Sequence, residues 1–337
     1  MFGGASDMKI NVSRRIDEGH WNARLTENPM GTIYQTTYYA EFTRKIHNRV
    51  PVYVEAVSDE GQAQLLLLIS PPFKSIFRWR KLPDKLRELL TTFKSRIGWN
   101  YGPVVSGDDG LYSSILNAAL DVKRSKIDAI IMDATPHPLD DRKTCFSTLG
   151  FSAKTVGTFI INLKQDPKGL WANLDKKSVR KNVERAIERG VQVEVTDSHD
   201  GLLEYYAALA EARKRSGLLV PPFESVSELW RCLGKDHYLK CFLARWNGKV
   251  VAALLISTFN GYMNEWGAAT SPITIENKLY AAELVKWEVI KWGNENNMRF
   301  YDLTGVELNA VDEKSKGIFR FKEKWGGELT EYNKYDI

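Results

Sequence analysis

The sequence predicts an α/β protein built from two similar lobes, and three observations carry that prediction. Two hairpin-like passages repeat, DEGQAQLLLLIS at 59–70 and WNGKVVAALLIS at 246–257, with Gly61 and Gly248 in corresponding places. Two helix-then-strand passages follow them in the same order, LYSSILNAALDVKRSKIDAIIMDAT at 111–135 and LYAAELVKWEVIKWGNENNMRFYDLTG at 279–305. A chain of 337 residues suits two domains of ordinary size, each able to bury its own core. Two matches in one order make duplication the better reading of the chain.

Taken in order, the first eight residues read as a loose tail. TIYQTTYYAEFTRK at 32–45 reads either as the first helix of lobe one, with Tyr38, Tyr39 and Phe42 in the core, or as a substrate element. VYVEAV at 52–57 and CFLARW at 241–246 each precede a hairpin that turns at glycine. The first copy carries extra residues, placed in the basic segment KLPDKLRELLTTFKSRIGW at 81–99. Each helix-then-strand unit ends on a strand bearing an acid, Asp133 or Asp302, and leads to a short helix with a Gly-containing ending, FSTLGF at 146–151 and FKEKWGG at 321–327. Pro167 and Gly169 punctuate the join. The lobes are therefore expected at 8–164 and 165–337, with the main cleft in the second and the last strand free to pair back to the first.

Composition narrows the function classes. Hydrophobic content of 43% and aromatic content of 11% are globular values, and the formal charge of +5 favours anionic partners without requiring them. Cys145, Cys232 and Cys241 are scattered and read as reduced core thiols of a cytoplasmic protein. The apolar runs are strand-sized, so no membrane span is expected, nor any signal peptide. A monomer is expected. His20, His47, His137, His199 and His237 form no ligand pair, so neither a metal nor a cofactor is expected. A Cys145–His137 thiol–base pair is outweighed by a buried structural cysteine. No nucleophile elbow, Walker loop or Rossmann fingerprint is present.

Two stretches carry chemistry. GIFRFKEKWGG at 317–327 sets Lys322 among Phe319, Phe321 and Trp325, beside Gly326 and Gly327. That suits a site handling negative charge, or a helix end with a glycine cap. LDKKSVRKNVERAIERGVQV at 174–193 opens with Asp175 as N-cap. It runs an apolar stripe through Val179, Val183, Ala186 and Ile187 and ends at Gly190. Lys176, Lys177, Arg180, Lys181, Arg185 and Arg189 make the remaining surface basic. This is either a solvated face or a phosphate-binding one. Trp266, Trp287 and Trp292 read as core rather than as base-stacking residues. Glu265 and Asp302 are candidate bases, with Asp302 preferred at a strand end beside Gly305.

The order hairpin, helix, strand, helix, strand is that of the GNAT acyltransferase lobe. More specifically, LWANLDKKSVRKNVERAIERGVQV resembles the opening of the second lobe of the Fem-type aminoacyltransferase family. LVKWEVIKWGNENNMRFYDLTGV at 284–306 resembles the family's helix leading into a YD-x-x-G strand. GIFRFKEKWGG is similar to its closing motif, EARKRSGL at 211–218 to its R-x-G stretch, and 32–45 more weakly to its N-terminal element. The resemblance covers nearly the whole chain and implies two tandem GNAT-like lobes. It also implies transfer of an aminoacyl group from aminoacyl-tRNA to the amine of an anionic acceptor such as a muropeptide precursor. It implies that Lys322 stabilises charge near the ester with Phe321 beside it, and that Arg215 helps hold the acceptor. Arg44 or Lys45 would stand for a lysine of the N-terminal element, where Thr36 departs from the usual serine. Arg180 and its basic face would meet phosphate. The acceptor is expected near Gln35–Lys45 and Arg215, between the lobes. An acyl-CoA donor is the alternative, although the usual [RQ]-x-x-G-x-[GA] loop is missing before residue 279. An inactive RNA- or protein-binding lobe pair is the reading from another class.

Overall fold

Runs of β-branched and aliphatic residues separated by polar turns form strands, and in this chain they do so twice with one topology. The computed structural model describes residues 8–70, 83, 85–86, 89, 95–125, 131–234 and 238–337. Most of the 81–99 segment, His237 and most of the N-terminal tail lie outside the described residues. Two units emerge, one of residues 1–156 with 331–337 and the other of residues 157–330.

In the first unit β1 (Lys9–Ser13), β2 (Val50–Ser58), β3 (Gly61–Ser70) and β4 (Arg96–Asn100) are successive antiparallel neighbours. β6 (Ile131–Thr135) then runs parallel to β4, and the short β5 (Val104–Ser106) pairs with β3. Helices α1 (Glu18–Glu27) and α2 (Thr37–His47) precede β2, and α3 (Asp109–Arg124) precedes β6. Ile97, Trp99, Met132 and Ala134 join Tyr112, Ile115 and Leu116 of α3 in one apolar core. α4 (Lys143–Thr148) follows and leads into the long strand β7 (Ser152–Asn162).

The second unit repeats the scheme. β8 (Gln192–Thr196), β9 (Leu239–Trp246), β10 (Lys249–Phe259) and β11 (Tyr262–Thr270) are antiparallel neighbours, and β12 (Phe300–Val306) runs parallel to β11. α7 (His199–Arg215) precedes β9 and α10 (Ala281–Glu295) precedes β12, as their counterparts do in the first unit. The short helices α5 (Pro167–Asn173), α8 (Phe223–Leu229) and α9 (Pro272–Glu276) connect these parts.

Each sheet takes its last strand from a distant part of the chain. β7 crosses from one unit to the other, and its end, Gly157–Asn162, pairs antiparallel with β12. The boundary thus falls inside β7 rather than at 161–169, because residues beyond Val156 find their hydrogen-bond partners in the second sheet. β13 (Glu328–Asp336) does the converse, with Tyr335 and Asp336 registered against Ala134 and Asp133 of β6. Tyr335 stacks on Phe146 with ring centroids 4.0 Å apart.

The basic segment begins with a π-type turn at Lys176–Arg180, capped by Asp175, which accepts from the Ser178 amide at 2.7 Å. It continues as α6 (Lys181–Glu188) and stops at Gly190, whose φ is +76°. Val179, Val183 and Ala186 are buried, but Ile187 is 58% exposed. The buried face, shared with Asn182 bonded to Glu283, is too narrow to take in Ile187.

At the end of α11 (Glu313–Glu323), Gly326 takes φ +72°, and a β-carbon there would come within 2.7 Å of the Asn173 carbonyl oxygen. Backbone cannot yield as a side chain does, so Gly326→Ala is expected to cost about 2 kcal/mol or more. Urea denaturation of the variant checks this, and an unchanged midpoint would remove the steric argument.

Candidate active site

The two central parallel strands of the second unit separate. β11 and β12 pair only at Tyr262↔Phe300, Met263↔Tyr301 and Asn264↔Asp302. Beyond that point β11 stays with β10, where Trp266 is the extra residue of a bulge. β12 stays with β7, where the register shifts between Asp302 and Gly305. Bulges at the parting point re-aim the backbone and open a fork. In the first unit the corresponding strands β4 and β6 remain paired from Arg96↔Ile131 to Asn100↔Thr135. The fork is therefore a property of the second unit.

Thr304, in the β12 bulge, has φ +64°, a region where a β-branched residue is strained. This turn presents the Thr304 and Gly305 carbonyls to Lys322 of α11, whose Nζ donates to them at 3.2 and 3.1 Å. Burial pulls the Lys322 ammonium below the ordinary lysine range, and Lys286 pushes the same way. Glu265 and Asp302 oppose them. A half-buried lysine with a lowered pKa, held by two carbonyls and the Thr304 hydroxyl, all neutral, keeps most of its field for an incoming anion.

A second group lies beside it. Lys286 of α10, 6% exposed, forms an ion pair with Glu265 of β11, and the buried Tyr301 hydroxyl donates to the same carboxylate. Burial and Glu265 together hold the Tyr301 phenol well above its usual range. Lys286 Nζ lies 5.3 Å from the Phe321 ring centroid and 5.6 Å from that of Trp325. Phe321 is itself 40% exposed, so it flanks Lys286 rather than sealing the site. Phe319 packs on Phe159, and Trp325 is buried.

Asp302 requires a correction. It is fully buried and accepts hydrogen bonds from the Thr304 amide (2.7 Å), the Thr158 hydroxyl (2.5 Å), the Tyr262 hydroxyl (3.0 Å) and Asn264 (3.3 Å). A carboxylate so enclosed is shut off from solvent, and its bonds tie β12 to β7 and β11 at the bulge that presents the Thr304 and Gly305 carbonyls. Glu265, the other candidate, is the carboxylate at the fork.

The remaining sequence-derived residues fall in separate places. Arg215 is exposed at the end of α7 and donates to the Thr270 carbonyl at 2.6 Å, further along β11 from Glu265. Arg180 is half-buried, and its Nε is buried without an acceptor. In the first unit, Thr36 caps α2, and Gln35, Thr37, Tyr39, Ala40, Phe42 and Thr43 are buried. Tyr39 and Phe42 are thus in the core, as one reading of 32–45 expects, whereas Tyr38 is only partly buried. Arg44 and Lys45 both bind Glu41, at 2.7 and 3.0 Å, and with Arg44 as the main cause they hold its carboxyl down to about 2. Among the described residues no group of His, Cys, Asp or Glu could hold a metal ion, and no helix is long and apolar enough to cross a membrane.

Residues 175–323, which contain the fork and its lysines, match the acetyltransferase (GNAT) domain family. The crystal structure of FemX superposes with a TM-score of 0.77 at 16% identity, over 97% of this chain and 96% of that one. The chain has the Fem-type tandem GNAT fold. The C-terminal domain of a putative lysylphosphatidylglycerol synthetase from Agrobacterium fabrum gives 0.58 at 12% identity, over 94% and 91%. A tandem GNAT protein from the clavulanic acid biosynthesis pathway gives 0.52 at 10%, over 98% of each chain. No curated protein matches the sequence.

Within the segment that matches the GNAT family, the N-terminus of α10, the helix that carries Lys286, is the kind of terminus that attracts an anion. Here its first turn holds Glu283, which accepts from Asn182 at 2.9 Å and whose pKa is raised by burial. Arg185 and Arg189 lie over the Tyr280 ring, and Arg189 donates to the Lys278 carbonyl. A pyrophosphate at this terminus would meet a carboxylate and a packed basic helix. Lys286 and Tyr301 were not singled out from the sequence. The available signal was a lysine inside the apolar run LVKWEVI, where a solvated side chain is out of place.

Proposed function

We propose that the chain is an acyltransferase that moves an aminoacyl group from aminoacyl-tRNA to an amine, with the reaction at the β11–β12 fork. The observation that carries this reading is the Lys322 ammonium, held on two neutral carbonyls at the fork inside the GNAT-matching segment. The amine nitrogen attacks the ester carbonyl, and the tetrahedral oxyanion forms within the field of Lys322. The carbon–oxygen bond to the ribose then breaks, and the amine proton passes to Glu265 or to the departing ribose oxygen. An amine attacking an ester needs orientation and charge stabilisation more than a strong nucleophile, which suits a site built from lysines and one carboxylate. The Fem resemblance favours a muropeptide precursor as acceptor, with Arg215 contributing to its anionic groups and the Arg180 face to tRNA phosphate.

An acyl-CoA donor is the second reading, favoured by the acetyltransferase family match and opposed by Glu283 at the α10 N-terminus. Ligand-induced thermal stabilisation separates the two, because binding to the folded state raises the melting temperature. Aminoacyl-tRNA is expected to stabilise the chain and CoA to leave it unchanged. A shift with CoA and none with aminoacyl-tRNA would transfer the assignment to the CoA-dependent reaction.

A further inference from the structure

Beyond burial, three charges act on the Lys322 ammonium: Glu265 of β11 most, then Lys286 of α10, then Asp302 of β12. Two of the three are carboxylates, yet neither is paired with it. Among the described residues, Lys322 Nζ bonds only to the Thr304 and Gly305 carbonyls and the Thr304 hydroxyl. An ammonium beside a carboxylate ordinarily takes it as partner, because a charged acceptor holds it more strongly than a neutral one. Each carboxylate must therefore be held elsewhere.

For Asp302, donors from Thr158, Tyr262, Asn264 and Thr304 are sufficient. Glu265 is held differently. Its Oε1 receives both the Lys286 ammonium and the Tyr301 hydroxyl, so one cation and one neutral donor converge on a single oxygen. Lys286 is fixed in turn, buried on α10 with the Phe321 and Trp325 rings beside its ammonium. Without the Lys286 charge, Glu265 would keep one neutral donor, and Lys322 is the cation left at the fork to attract it.

The consequence falls on the reacting ester. A Lys322 ammonium paired with Glu265 would form a neutral unit and offer little to a developing oxyanion, whereas one held by neutral groups keeps its charge. We infer that Lys286 is a positioning residue that, by binding Glu265, keeps Lys322 free of a carboxylate partner and available to the tetrahedral intermediate. The catalytic use rests on the transferase reading; the arrangement of charges rests on the geometry of the fork alone.

The two are measured separately. With 13C at the lysine Cε, NMR titration of the free full-length chain follows Lys322, identified by its absence in Lys322→Met. Lys286→Met is expected to raise the Lys322 midpoint, since a repelling cation leaves and a carboxylate becomes its partner. Glu265→Gln is expected to lower it, since the attracting anion is gone, and this variant keeps the test open if Lys286→Met does not fold. In transfer from aminoacyl-tRNA, Lys286→Met is expected to lower kcat about tenfold or more with KM near the parent value. Lys286→Arg, which keeps the charge, is expected to recover most of the rate and the parent midpoint. A purely structural loss would show in thermal melting without raising the Lys322 midpoint. An unmoved midpoint in folded Lys286→Met or in Glu265→Gln would overturn the inference, as would a raised midpoint with undiminished transfer. Midpoints that move as expected in a parent protein that transfers no aminoacyl group would instead sink the transferase reading and leave the charge arrangement standing.

Discussion

Lys322→Met is expected to lower the rate of acyl transfer on the order of 100-fold or more while leaving the fold in place. The methionine side chain retains the apolar stem but removes the only charge that the Thr304 and Gly305 carbonyls hold at the bulge. Those carbonyls are acceptors at a partly solvated position, and removing a half-buried ammonium relieves its desolvation. The net effect on stability is therefore expected within about 1 kcal/mol. Single-turnover transfer from aminoacyl-tRNA gives the rate, and thermal melting gives the stability. A variant that melts normally and transfers at the parent rate would show that Lys322 is a structural lysine and that the fork lacks its proposed electrophile-stabilising group.

Asp302→Ala is expected to act in the opposite way, through stability. It would take this acceptor from the Thr304 amide, the Tyr262 hydroxyl and the Asn264 amide in a fully buried position, while the Thr158 hydroxyl keeps the Thr304 carbonyl. Each unsatisfied buried donor costs about 1–3 kcal/mol, so a loss of about 3–5 kcal/mol is expected, allowing for partial re-pairing. For a domain of this size that corresponds to a melting temperature lower by roughly 10 °C. The isosteric Asp302→Asn is expected to destabilise less and to keep the pH profile of the remaining activity. Were Asp302 a general base, Asp302→Asn would melt like the parent and lose the pH-dependent limb of its activity, and the scaffold role assigned to it would be wrong.

The sequence by itself determined the repeat and, with it, the fold. The hairpins at 59–70 and 246–257 and the helix-then-strand units at 111–135 and 279–305 are local patterns, set by apolar periodicity and glycine turns. They fold as local patterns do, into β2–β3, β9–β10, α3–β6 and α10–β12. The setting of Lys322 was also legible, because aromatic residues and two glycines surround it within a few positions of the chain. Long-range pairing decided the rest. Whether parallel neighbours stay paired depends on bulges at Trp266 and Thr304, and a bulge reflects competition between partners far apart in sequence. That competition opened the strands in the second unit and left β4 and β6 closed in the first. It also crossed β7 and the end of β13 between units, which no local periodicity encodes. Burial reassigned the acids: Asp302 looked catalytic at a strand end, yet donors from β7, β11 and its own turn enclose it. Lys286 was not singled out from the sequence, yet α10 turns it inward onto Glu265. Spacing along a chain fixes which face of an element a side chain occupies. What lies against that face is settled only when the other elements arrive.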